Sequence, residues 1–379
     1  MAKVAARRVS GAPATGPAVD SSYMSPDGAQ PSAPPLRGVY LRPLPDALVP
    51  ARHSAGARVR AAQLQAFLRP LHELALERLP LHGNLTLSVV GPSDWRRVCR
   101  YPYGFAFTRT RPTPATLAGA AGPSVDVMVP ADHPGRLLRR FDEVLLRAAR
   151  AGVRPPAPQA SIAAGTNLPV DDARAVSKRH VSSVPTPDAT NAAPAAPSAP
   201  AVAPNVARGP GVAEAPAPSG DVRELLDLIV GHEWGHAAAS LAGLRLRVTW
   251  LDELLATVIY FAALRSAGAD SVAQRVLAWA AVQAAGGDDT RRDLGAFEYP
   301  RGRLRLERSM HFQGVFTLRA WELVAGEERE PWDFVQSLHA AVAPVAGAGG
   351  RHRGDVARAL VEVEPSFKEW FATLGSESG

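Results

Sequence analysis

Residues 231–257, GHEWGHAAASLAGLRLRVTWLDELLAT, hold the densest chemistry in the chain. His232-Glu233-Trp234-Gly235-His236 is the pattern H-E-x-x-H. On an α-helix four residues make about one turn, so both imidazoles leave one face about 6 Å apart along the axis. That separation lets two nitrogens reach one zinc ion at about 2.0–2.1 Å. Glu233 is rotated by about 100° from His232, beside the metal but not bound to it. It is placed to act as general base toward a metal-activated water. The competing reading is two buried histidines in an Ala-rich helix. Two imidazoles and a carboxylate gathered in a core are costly without a partner, and a metal ion removes that cost.

A catalytic zinc takes three protein ligands and keeps one position open. The downstream candidates for the third ligand are Asp252, Glu253 and His311. Glu253 opens the next expected helix, and an antiparallel return brings that first turn back beside the histidines. Asp252 lies about 100° away around the same helix and could cap it instead.

With H-E-x-G-H-A followed by Trp250-Leu251-Asp252-Glu253-Leu254-Leu255-Ala256, the chain resembles the gluzincin zinc metallopeptidases, the thermolysin-like branch. It is most similar to bacterial MA-type peptidases whose second motif reads W-L-x-E-G-x-A. The resemblance is specific over 231–257. It is weaker over 303–325, where HFQGVFTLRAWEL resembles a Y-x-Q-G helix, and in the block upstream. It implies a zincin-like α+β fold, Zn2+ held by His232, His236 and Glu253, and Glu233 as the base. It further implies a peptide or protein substrate lying extended along a sheet edge, for which SVDVMV (124–129) is the expected strand.

Two positions depart from the family. Leu254 stands where the family has Gly, and Phe312 where an aromatic hydroxyl is common. His311, Tyr260 or Tyr299 could supply that donor, with His311 the best placed. Thr257 stands where thermolysin-like enzymes carry an acid that orients a histidine, and could hydrogen-bond there weakly. The expected activity is peptide-bond hydrolysis. The alternative is a zincin-fold binding or scaffolding module that no longer cleaves.

These residues need elements to hold them. Residues 1–36 are small, polar and Pro-rich, and read as disordered. The α/β part spans 37–152. It has strand candidates at 38–45, 84–90, 104–109 and 124–130. It also has helices at 57–79, with a kink or split at Pro70, and at 135–150. Residues 153–220 are rich in Pro and Ala and read as a disordered insertion. The zinc-binding helix pair spans 221–268, opened by a capping box of Asp221 and Glu224. Its helices run to about Ala242, stopped by Gly243, and over about 250–267. A helical subdomain covers 269–379, with helices at 271–284, 302–325, 331–345 and 353–373.

The chain has 379 residues, 46% of them hydrophobic, and a formal net charge of +6. Nearly all the positive charge is arginine, lysine occurring only at Lys3, Lys178 and Lys368. No basic run interleaved with aromatics argues for nucleic acid. Cys99 is the only cysteine, which excludes an internal disulfide or a Cys-based metal site. No apolar run predicts a membrane span or a signal peptide, so the expected location is cytoplasmic. His72, His82 and His133 lack metal spacing and read as structural or exposed. Trp234 and the aromatic run YPYGFAF (101–107) read as core.

Overall fold

The computed structural model describes residues 39–99, 103–111, 123–153, 222–246, 248–286, 294, 297, 306–326, 329–342 and 353–374. The expected disordered segments 1–36 and 153–220 fall almost wholly outside them, as do Asp221 and Tyr299.

Five strands form one mixed sheet in the order β1-β2-β3-β5-β4. They are β1 (Arg42–Leu44), β2 (Ala51–His53), β3 (Asn84–Val90), β4 (Phe107–Arg111) and β5 (Ser124–Pro130). β2, β3 and β5 run parallel, while β1 and β4 are antiparallel to their neighbours at the two edges. The expected edge strand is therefore corrected. SVDVMV lies inside the sheet, paired on both sides, and β4 is the edge. Its apolar content explains the placement, because Val125 through Val129 are buried on both faces. β4 carries Thr and Arg instead, which suit an edge.

Period-2 alternation gives the sheet two different faces. Leu85, Leu87, Val89, Val125, Val127 and Val129 point into the main core. Val90 and Met128 point the other way, onto Trp95 and Val98 of the short helix α2 (Pro92–Val98). On that second face Asp126 sits 3% exposed and gathers three guanidinium groups. Arg52, Arg109 and Arg111 reach it at 2.7, 2.9 and 2.8 Å, and the Ser88 hydroxyl donates at 3.1 Å. One carboxylate thus ties β2, β3, β4 and β5 together. A buried charge survives only with such partners.

On the main-core face lie α1 (Arg58–Arg78) and α4 (Val222–Leu241), with α3 (Gly135–Arg150) beside them. α1 runs unbroken through Pro70, against the expected split. Leu64, Phe67, Leu68, Leu71 and Ala75 are all buried on one side of it. At about 1.5–3 kcal/mol per large side chain, that burial outweighs the roughly 3 kcal/mol cost of an interior proline. Behind α4 stand α5 (Thr249–Ser266), α6 (Asp270–Ala285) and α7 (Leu306–Val324). The expected last helix is two, α9 (Arg353–Val363) and α10 (Phe367–Thr373), separated around Pro365, with α8 (Asp333–Val342) before them. Strand β2 and helix α2 were not expected from the sequence.

The main apolar core runs from Val49 on the sheet side to Leu374 at the C-terminal end, with the smaller cluster around Trp95 on the far face of the sheet. The α/β part and the helical part are therefore layers around that main core, an α+β arrangement. No helix among the described residues is long and apolar enough to cross a membrane.

Candidate metal centre

α4 is anchored at both ends, and this sets its height over the sheet. At its N-terminal end Glu224, 4% exposed, accepts from Arg275 Nε (2.5 Å) and Trp279 Nε1 (3.2 Å) of α6, a buried ion pair. The expected capping box rests on Asp221, which lies outside the described residues. One turn on from Glu224, Asp227 accepts from Arg60 Nη2 (2.6 Å) on α1 and bonds His133 Nε2 (3.1 Å). Burial alone would raise the Asp227 carboxyl. The bond to His133 and the nearby Arg60 charge hold it below its ordinary value instead. At the C-terminal end Gly243 takes φ +72°, and the Leu244 N–H returns to the Ala239 carbonyl at 2.8 Å. That is the glycine stop expected after this helix.

The turn into α5 is fixed by Asp252, which accepts the Leu246 N–H at 3.0 Å. Burial pushes its carboxyl up to about 6. Asp252 is thus the turn residue and Glu253 faces α4.

Gly235 allows the two helices to meet. A Cβ there would lie 2.0 Å from the Ala256 carbonyl oxygen. Ala256 is one turn beyond Glu253, so the closest approach of the helices falls beside the putting-together of the three ligand groups. Gly231 likewise abuts the Tyr260 ring. Tyr260 is 1% exposed between Phe67 and Phe261, with no hydrogen-bond partner for its hydroxyl. It is a core residue.

The expected ligands converge. Glu253 Oε2 lies 3.1 Å from His232 Nε2 and 3.4 Å from His236 Nε2. One ligand atom from each residue falls within 4.8 Å of the others, in a cluster that could hold a metal ion. Donors at 2.0–2.1 Å from a tetrahedral zinc are about 3.3–3.4 Å apart, close to these separations. The hydrogen bonding agrees. Thr257 Oγ1 donates to the Glu253 carbonyl (3.1 Å) and accepts from His232 Nδ1–H (2.9 Å). His232 Nε2 faces the Glu253 carboxylate at 3.1 Å, a contact that either a proton or a metal ion shared between the two would satisfy. The side chains are 15%, 19% and 14% exposed, so the cluster opens to solvent.

Burial alone would lower His236, but the Glu253 carboxylate more than reverses this and raises it to about 9. Glu253 itself is driven well below the usual carboxylate range by the two histidines, against its burial. A metal ion would take the place of the His236 proton, so binding releases protons and strengthens as pH rises toward 9.

Glu233 stands beside the cluster. Burial pushes its carboxyl up, and the two histidines oppose that. Thr108 Oγ1 of β4 lies 2.5 Å from the Glu233 carbonyl oxygen and 2.9 Å from its Oε2, so one hydroxyl proton serves both. This contact joins the edge strand to Glu233.

His311 is not brought to the cluster. Its Nδ1 donates to the Ala284 carbonyl on α6 at 2.8 Å, and it is 7% exposed. The α7 residue that reaches the site is Gln313, whose Nε2 donates to Glu253 Oε2 at 2.5 Å. Two residues on a helix are about 200° apart, so His311 and Gln313 cannot face the same side. Gly314, close to Ala280 and Ala284, fixes which side meets α6. Phe312 is buried against Phe297 and Phe316. Trp234 is fully buried, as expected.

The chain matches no protein-family model, no curated protein and no solved structure. The functional reading therefore rests on the residues and their geometry. Thr108 and Gln313 were not singled out from the sequence. Gln313 lay inside the stretch HFQGVFTLRAWEL, whose Q-G pair was the available signal.

Proposed function

We propose that the chain is a zinc-dependent metallopeptidase of zincin-like architecture. Its ligands are His232, His236 and Glu253, and its general base is Glu233. The observation that supports this most is the convergence of two imidazole nitrogens and one carboxylate oxygen, with Glu233 held alongside by Thr108. Zinc bound there would supply Lewis-acid activation of a water and of a peptide carbonyl. The chain's own residues do the rest. Thr257 fixes the His232 tautomer so that Nε2 faces the metal position. Gln313 Nε2 donates to Glu253 Oε2, the oxygen that also faces the two histidines, and so orients that carboxylate. Glu233 takes the proton from the attacking water and passes it to the leaving amine. The outer edge of β4, unpaired among the described residues, is where an extended peptide could add as a further strand beside that base.

A second reading, a peptide-binding module that does not cleave, is favoured by one observation. Phe312 is packed in the core and no other tyrosine or histidine among the described residues bonds into the cluster. The two are separated by incubating the zinc-loaded chain with a mixed peptide pool and following new termini by mass spectrometry. Cleavage that is lost in Glu233→Gln and on chelation supports the peptidase. No cleavage of any peptide by the zinc-loaded wild type would overturn it and leave the binding module.

A further inference from the structure

Thr108 and Thr110 lie on the same face of β4, two residues apart, which is about 6.8 Å along an antiparallel strand. Thr108 Oγ1 sits against Glu233, 2.5 Å from its carbonyl oxygen and 2.9 Å from its carboxylate. Thr110 carries something else. Arg245, from the turn between α4 and α5, reaches across with Nη1 3.4 Å from Thr110 Oγ1. Arg245 is exposed, and among the described residues that contact to a neutral hydroxyl is the one hydrogen bond of its guanidinium. It makes no ion pair among the described residues. The acid nearest in sequence, Asp252, accepts the Leu246 N–H, and it feels the Arg245 charge without forming an ion pair with it. A guanidinium with most of its donors open thus stands over the edge strand, one strand repeat from the base.

We propose that Arg245 is a specificity-determining residue that takes a carboxylate of a peptide lying along β4, two residues from the bond facing Glu233. The ligand class is an extended peptide with Asp or Glu at that place, or a chain terminus whose own carboxylate falls there. The planar fork of arginine matches a carboxylate with two parallel hydrogen bonds. Lying antiparallel to β4, as β5 does on the other side, the peptide would put this residue on the N-terminal side of the facing bond. Parallel addition would put it on the C-terminal side.

The inference rests on the peptide site proposed above, and a binding assay separates the two. Zinc-loaded full-length Glu233→Gln is titrated into fluorescein-labelled decapeptides that differ only in the position of a single Glu or Gln, followed by anisotropy. One position is expected to show Glu favoured over Gln by about 5- to 10-fold, the range of a partly exposed charged hydrogen bond. That preference should vanish when Arg245→Gln is added, persist in part with Arg245→Lys, and pass to a Lys-bearing peptide with Arg245→Glu. An unchanged Glu preference in the Arg245→Gln background, no preference at any position, or no peptide binding at all would each overturn the proposal. A wild type that cleaves peptides without any acid preference would sink it while leaving the peptidase standing. Arg245-dependent binding by a chain that cleaves nothing would do the reverse.

Discussion

Gly235→Ala tests whether the close crossing of α4 and α5 is what builds the metal site. The added Cβ would sit 2.0 Å from the Ala256 carbonyl oxygen and 2.8 Å from its carbonyl carbon. Both contacts are backbone, so no flexible side chain can give way. Real Cβ contacts essentially never fall below 3.0 Å, so the helices must part by about 1 Å. A workable metal site holds its distances to about 0.2 Å. Glu253 lies one turn before Ala256 and moves with it, away from His232 and His236. The side chain can recover part of the shift, yet loss of geometry several times the tolerance should weaken zinc by at least about 10- to 100-fold, as loss of a hydrogen-bond partner behind a ligand does. Overpacking itself should cost about 1–3 kcal/mol. The assay is zinc affinity by competition with a chromogenic chelator, beside urea unfolding of the same metal-free samples. Zinc affinity equal to wild type in a folded Gly235→Ala chain would refute the reasoning.

Thr257→Val removes the acceptor for His232 Nδ1–H and should weaken zinc about 10- to 100-fold in the same competition assay, whereas Thr257→Ser should hold most of it. Gln313→Leu removes the donor to Glu253 Oε2 and should lower zinc affinity, while His311→Leu, facing α6, should leave it near wild type. Asp227 is held below its ordinary 3.8, so its stabilising contribution is present above about pH 4 and is lost as pH falls through the folded value. Urea midpoints should therefore show Asp227→Asn less stable than wild type at neutral pH, with the gap closing in acid; a gap independent of pH would contradict this assignment.

The part of the site that the sequence disclosed is the part written at helical spacing. His232 and His236 are one turn apart, so their shared face follows from helix geometry alone. A short return between two helices made Glu253 a candidate beside Asp252 and His311, and the resemblance of the W-x-x-E motif singled it out. Gly243 signalled the stop through the positive φ it indeed adopts. Thr108 and Gln313 could not be found that way, because each arrives from a separate element and only tertiary packing brings it near Glu233 or Glu253. The error at His311 has the same origin. One residue of an α7 turn was judged without knowing which side meets α6, and Gly314 is what decides that. The edge strand was misplaced because SVDVMV has the stronger strand pattern. A strong apolar pattern marks a central strand, and the weaker, Thr- and Arg-bearing β4 takes the edge. The continuity of α1 through Pro70 likewise reflects burial prevailing over local preference.

Metal content tests the central claim most directly. Purified wild type, Glu253→Ala and Glu233→Gln would be dialysed against trace zinc and measured by elemental analysis. The account predicts about one zinc per chain in wild type and in Glu233→Gln, and a marked loss in Glu253→Ala. No zinc in the folded wild type, or zinc held equally well without Glu253, would contradict it.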